Sequence, residues 1–197
     1  MDMASKSEKT RERILNATVY CVTHLGVERT SHAQIAKRAK VSRSLVAHYF
    51  PSKSKMFPEV IRYVAANAYA FFQAHEESTD PKTTIYDRLQ RNLEYFTKNP
   101  DHYKCIVLLY YRSAIDSSYR KINTILVEAA VKGLEEPLKV VLHPELARQV
   151  AESLHNELIA SIQKFYMIEH NEQAEMFVER MGRYFCERLD ALIATPA

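Results

Sequence analysis

The chain has 197 residues, 47% of them hydrophobic and 26% charged, which excludes a disordered or fibrous polymer and leaves room for one medium domain or two small ones. Only three glycines and three widely separated cysteines occur, too few glycines for the turns of a sheet protein and no spacing for a zinc site or a disulfide framework. The formal net charge of +3 hides an asymmetry: residues 1–58 carry 11 Lys/Arg against 4 Asp/Glu and residues 59–197 carry 16 against 20, so a polyanion-binding head is expected on a mildly acidic body.

Residues 1–10 read as a polar arm. Ile14, Leu15, Thr18, Val19, Val22 and Leu25 then recur at helical spacing, and Gly26 ends that first helix as a C-cap. Ser31, with Gln34 three residues on, has the form of a capping box. It opens a short second helix with Ile35, Ala36 and Ala39 on its inner face. Lys40 and Val41 form a turn, Ser42 caps a third helix to about Phe50, and Pro51 cannot continue it.

A fourth helix is expected from Ser52 or Ser54 to about Glu76, with Pro58 in about its first turn. Asp80 and Pro81 read as cap and first residue of a fifth, striped by Ile85, Leu89, Leu93 and Phe96. Asn99 and Pro100 repeat that signal for the most apolar helix, about 101–115. A seventh covers about 118–135 or runs on past Gly133 and Pro137. An eighth starts at His143–Pro144 and reaches about Glu169, and a ninth, capped by Asn171, reaches about Ala194. With no strand-like alternation, the fold class is all-α with about nine helices.

Residues 31–50 fit a helix-turn-helix on physical grounds. Ile35, Ala36, Ala39, Val41, Val46 and Phe50 make a small core under the turn, and Arg43, Ser44, Leu45 and His48 are left for the outer face. The wording from Gly26 to Phe57 sharpens this: Ile35-Ala36, Ala39, Val41-Ser42, Tyr49-Phe50 and Lys53 fall in a pattern that resembles the TetR family of bacterial regulators. The chain departs from that pattern at Lys40, which replaces a turn glycine, at Ala47, where an aromatic is common, and at Ser31, which stands for Thr.

The resemblance implies a helix-turn-helix DNA-binding domain over residues 1–55 and a helical ligand-binding and dimerisation domain over 56–197. It implies double-stranded operator DNA as partner and these contacts. Ser31 and His32 touch phosphate; Ser42 joins the contact set. Arg43 reads guanine; Ser44 and Leu45 lie along base edges; His48 and Tyr49 reach the backbone; Lys53 and Lys55 pair with phosphate. The arm's Lys6, Lys9, Arg11 and Arg13 enter a minor groove, rest on phosphates, or form a solubilising tail.

It further implies a homodimer through the last two helices, with Leu154, Leu158, Ile162, Phe177, Met181 and Phe185 at the interface. A small-molecule pocket is expected among the middle helices, walled by Phe72, Tyr95, Phe96, Tyr111 and Tyr166, with Tyr110, Arg112, Asn156 and Gln163 as polar groups. That composition favours an apolar or aromatic effector over a highly charged one. No cofactor or metal is expected.

No HExxH spacing, G-x-S-x-G or phosphate loop occurs, so catalysis is not expected. No apolar run reaches the ~18 residues of a membrane span, and the N-terminus has no apolar core, so a cytoplasmic protein without membrane contact is expected. The resulting expectation is a bacterial repressor released from its operator by a ligand. Two alternatives stand beside it: a helical interaction module that has lost DNA binding, and a ligand-independent activator or global regulator.

Overall fold

The computed structural model describes residues 6–74, 78–167 and 173–194, the Lys53 side chain apart. The first five residues of the arm, the Glu76 and Glu169 helix ends and the Asn171 cap lie outside the described residues.

Among the described residues there are nine helices and no strand: α1 Lys6–Leu25, α2 His32–Ala39, α3 Arg43–Tyr49, α4 Lys53–Gln73, α5 Pro81–Lys98, α6 Pro100–Ile115, α7 Ser117–Leu138, α8 Pro144–Met167 and α9 Ala174–Ala194. One expectation is corrected at the start. Lys6 to Thr10 are helix, not arm. Their side chains are good to moderate helix formers, the Thr10 hydroxyl donates to the Lys6 carbonyl at 2.8 Å, and the register runs unbroken into buried Ile14 and Leu15.

α2 begins as its sequence dictates. The Ser31 hydroxyl accepts from the Gln34 N–H at 3.3 Å, and the Gln34 side chain accepts from the Ser31 N–H at 2.8 Å. It ends at Lys40, whose φ of 53° and ψ of 50° lie in the left-handed region. Arg13 reaches across from α1 to finish that end: its Nη2 donates to the Ala39 carbonyl at 2.6 Å and to the Lys40 carbonyl at 3.3 Å. A cation on the last carbonyls of a helix also meets the negative end of its dipole. The strain at Lys40 gives a prediction. Lys40→Gly is expected to raise stability by about 1 kcal/mol in denaturant unfolding, and a loss of stability would remove the strain argument.

Ser42 caps α3, accepting from the Leu45 N–H at 3.2 Å. In α4, which starts at Lys53 between the two starts expected, Pro58 sits at the sixth position and leaves the Ser54 carbonyl without a donor in its own helix. The helix continues because Met56, Phe57, Val60, Ile61 and Val64 are all fully buried. Asp80 caps α5 through Thr83, whose hydroxyl and N–H hold the Asp80 carboxyl below its usual range. Asn99 turns out to close α5 rather than open α6: its amide donates back to the Tyr95 carbonyl at 2.8 Å. α7 does run past Gly133 and Pro137.

The chain forms two compact units. The first holds the described residues up to Asn67 together with Asp101–Asn123; the second holds Ala68–Pro100 and Thr124 onward. In the first, α1 packs on α2 and α2 on α3. Their core is Ile14, Leu15, Ile35, Ala36, Val46 and Phe50, with Val41 and Leu45 packed at its edge. Phe57 of α4 meets Tyr119 of α7, ring centroids 5.6 Å apart.

In the second unit α5 packs against α8 and α9. Leu154, Leu158, Ile162, Phe177, Met181 and Phe185, expected at a dimer interface, are each at most 7% exposed within the single chain, where they fill the core of this unit. The apolar surface that α8 and α9 do expose is a different set, Met167, Met176 and Tyr184. The stripes were legible; which surface they meet was not, because one apolar helical face reads the same against either neighbour.

Candidate nucleic-acid interface

From Ser31 to Lys55 the chain carries six Lys/Arg and no Asp or Glu. Lys37, Arg38, Lys40, Arg43 and Lys55 are exposed. Two capped helix N-termini, α2 and α3, lie in this stretch with no acidic residue in either first turn. Of these cations Lys40 and Arg43 flank the N-terminus of α3, whose dipole adds to their attraction for phosphate, while Lys37 and Arg38 lie in the last turn of α2.

The expected contact residues fall into two groups. Arg43, Ser44 and His48 are exposed along α3, and Lys55 is exposed in the first turn of α4. Of the others, Ser31, Ser42 and Tyr49 make hydrogen bonds within the chain. The Ser31 hydroxyl lies in the capping box, Ser42 caps α3 while its hydroxyl meets that of Ser44 at 3.0 Å, and half-buried Leu45 packs on the core. The Tyr49 hydroxyl donates to the Ser7 carbonyl at 3.4 Å. His32 Nε2 is buried without a hydrogen-bond partner. The Lys53 side chain lies outside the described residues. Of the arm cations, Arg13 closes α2 and Arg11 pairs with Glu59 at 3.3 Å.

Contacts that no local sequence pattern signals hold this head to α6 within the first unit. The Arg38 guanidinium sits over the Tyr20 ring, 3.1 Å from its centroid. Tyr20 stacks on His24 at 3.9 Å, and His24 faces Asp101 of α6 at 3.8 Å. Arg112 of α6 pairs with Glu28 in the turn before α2. Arg112 was expected in a pocket; its partner instead is 84 residues away in sequence, a pairing no local pattern reveals. Tyr111 is 65% exposed, and Tyr110 lies in this first unit too.

The second unit contains a cavity of about 250 Å³. Of the expected pocket residues only Phe72 lines it. Tyr95 and Phe96 are buried in an aromatic cluster with Phe71 and Phe72, and the Tyr166 hydroxyl donates to the Phe96 carbonyl at 2.7 Å. Asn156 and Gln163 are exposed on α8. The polar group α8 does turn inward is His155, one residue from Asn156. It lies in phase with Ala151, Leu154, Leu158 and Ile162, so the 3.6-residue period was the signal that could have found it.

Burial lowers the His155 pKa below its usual value, and it does the same to His102. A neutral native histidine binds fewer protons than its unfolded counterpart, so stability is highest above about pH 6.5 and falls as pH drops toward the native pKa. His155→Gln is therefore expected to reduce the fall in melting temperature between about pH 7 and pH 5. A variant whose pH profile matches the wild type would contradict this. Burial also pushes the Cys105 thiol up to about 12, which leaves it un-ionised and unreactive. Among the described residues no group of three His, Cys, Asp or Glu is placed to hold a metal ion, and no helix is long and apolar enough to cross a membrane.

Comparison with known proteins is most specific where this basic stretch lies. Residues 14–60 match the family model "Bacterial regulatory proteins, tetR family". A nucleoid occlusion factor, SlmA of Haemophilus influenzae, is 30% identical over 95 residues, 47% of this chain and 44% of the relative. An HTH-type transcriptional regulator, BetI of Yersinia pestis, is 39% identical over 54 residues, 27% of each chain. The chain thus spans less than half the length of the curated relatives it matches.

Solved structures match over nearly the whole chain. A TetR transcription regulator from Haloarcula marismortui has a TM-score of 0.78 at 18% identity and covers 93% of this chain and 97% of its own. A transcriptional regulator from Rhodococcus has a TM-score of 0.77 at 21% identity, covering 94% and 98%. A regulator from Saccharomonospora viridis, solved in complex with choline, has a TM-score of 0.72 at 15% identity, covering 91% and 96%. At these identities the likenesses show the fold alone.

Proposed function

We propose that this chain belongs to the TetR family of bacterial transcriptional regulators, whose family model residues 14–60 match, and that it is a repressor that binds a palindromic operator as a homodimer and is released by a small molecule. The observation that carries the reading is the run from Ser31 to Lys55: six cations, no carboxylate, and Arg43, Ser44 and His48 exposed together along the helix that follows the turn. In this reading α3 enters the major groove, Arg43 reads a guanine edge, and Lys53 and Lys55 hold phosphate.

The effector mechanism is a two-state shift. α4 and α7 each contribute residues to both compact units. A ligand that prefers one arrangement of those helices biases the DNA-binding head only as far as it prefers the state that cannot bind DNA. Within the first unit, the Arg112–Glu28 pair and the Asp101–His24 contact are where a shift of α6 would reach α1 and the turn before α2. The choline complex of the Saccharomonospora viridis protein supports a small-molecule effector in this fold.

A footprint of the purified chain on its own upstream DNA tests the dimeric reading. Two protected half-sites with centres about 34–36 Å apart are expected. Protection of one isolated half-site would contradict it. A second reading, a ligand-independent regulator, predicts the same footprint and no response to any ligand.

A further inference from the structure

The cavity of the second unit passes from an exposed rim to a buried floor. Tyr69 and Gln73 of α4 and Ala129 and Ala130 of α7 stand exposed at the rim. Leu89 of α5, Leu134 of α7 and Leu158 of α8 are each at most 5% exposed and make the floor apolar, with half-buried Phe72 beside them. His155 is the polar side chain of that floor, 7% exposed. Neither of its ring nitrogens has a hydrogen-bond partner among the described residues, and burial alone perturbs its titration. His32 Nε2 and Gln90 Oε1 also lack partners but are sealed within the packing; the His155 ring instead faces open space.

The α5 wall, by contrast, is engaged within the protein. Pro137 has no N–H, so the Gly133 carbonyl lacks the donor that the residue four further on would supply. Arg88 Nη1 donates to that carbonyl instead. Arg91 pairs with Asp87 at 3.6 Å, and the Asn92 amide donates to the Arg88 carbonyl at 2.9 Å. His155 shares the inner stripe of α8 with Ala151, Leu154, Leu158 and Ile162. A leucine at that position would complete the apolar floor and avoid the cost of a buried polar group with unmet hydrogen bonds. The imidazole is the one feature of the floor that packing does not explain, and it opens onto a space that a ligand can enter.

We propose that this cavity binds a small neutral molecule bearing a hydroxyl group, a phenol or a short alcohol, whose hydroxyl bonds the His155 ring and whose body lies against Phe72, Leu89, Leu134 and Leu158. The inference rests on the effector reading above and names the chemistry of the ligand. An uncharged imidazole has one donor nitrogen and one acceptor nitrogen. A hydroxyl both donates and accepts, so it matches whichever nitrogen faces it, whereas an ether or a carbonyl only accepts and fits one tautomer alone. A charged ligand would leave water for an apolar floor and a neutral ring, which costs far more than placing a hydroxyl there. The volume of about 250 Å³ lies below the about 300–1,000 Å³ of drug-sized pockets, which limits the body to a single ring or a short chain.

Calorimetric titration of the full chain tests this, with 4-ethylphenol and 1-hexanol as probes, their methyl ethers as uncharged controls and sodium 4-ethylbenzoate as the charged one. At least one hydroxyl probe is expected to bind about tenfold or more tightly than its ether; which of the two does so separates phenol from alcohol. His155→Leu fills the floor with an apolar side chain and is expected to bring hydroxyl and ether within about twofold of each other. A preference due only to the added methyl group of the ether would survive that substitution and would overturn the proposal. Ala130→Leu, at an exposed position on the rim, keeps His155 and is expected to weaken probe and ether alike. Binding unchanged in both variants, or benzoate bound more tightly than either probe, would also overturn it. Duplex binding is measured separately. Hydroxyl-dependent binding that leaves operator affinity unchanged keeps this inference and removes ligand release; operator binding with neither probe bound does the reverse.

Discussion

Phe57→Ala is expected to destabilise the first unit by about 3–5 kcal/mol, the range for emptying a buried aromatic position. Phe57 is fully buried on α4, between residues of the same helix that are also fully buried, and its ring meets Tyr119 of α7. Truncation leaves a cavity among close-packed, fully buried neighbours such as Met56, Val60 and Ile61, which can fill it only in part. Because α4 and α7 each have residues in both units, the substitution should also weaken the response of DNA binding to any effector. Urea unfolding gives the first quantity. A cost below about 1 kcal/mol, as for a surface position, would contradict the packing described.

Arg43→Ala is expected to weaken binding to the operator by about 1–3 kcal/mol, or about 5–150-fold, and to relax preference at one base pair in each half-site. The side chain is exposed at the first position of α3, where Ser42 has already closed the helix cap, so its removal costs the fold little. Lys55→Ala provides the contrast. Without that ammonium beside a phosphate, all duplexes should bind more weakly to the same degree, and the salt slope should fall by about 1. Equal weakening by both variants on operator and random DNA would remove the assignment of Arg43 to base reading.

Much of the head was legible because its signals are local. Ser31 and Gln34 cap α2 through bonds three residues apart, and the alternation of small and large residues from Ile35 to Phe50 needs only the helical period. The left-handed residue at Lys40 was foreseeable from the missing glycine. What the sequence hid is non-local. Nothing near Arg13 says that it closes a helix 26 residues away, nor near Arg112 that it meets Glu28. The lining of this cavity was only partly legible, for two reasons. An aromatic-rich stretch does not say whether its rings face a ligand or one another, as those of Phe71, Phe72, Tyr95 and Phe96 do. On α8, choosing Asn156 by its polarity overrode the phase that points His155 inward. The role of Pro137 depends on Arg88 of α5 lying opposite the carbonyl it frees, which only the fold supplies.

The most direct test of the central claim is a titration of the wild-type chain against duplexes from its own promoter region and against random duplex, at several salt concentrations. The account predicts dimeric binding at least about 10³-fold tighter to one promoter segment than to random DNA, weakening steeply and linearly in log salt. Equal affinity for every duplex, or binding that salt leaves unchanged, would contradict it, and the exposed face of α3 would then have to serve a partner other than DNA.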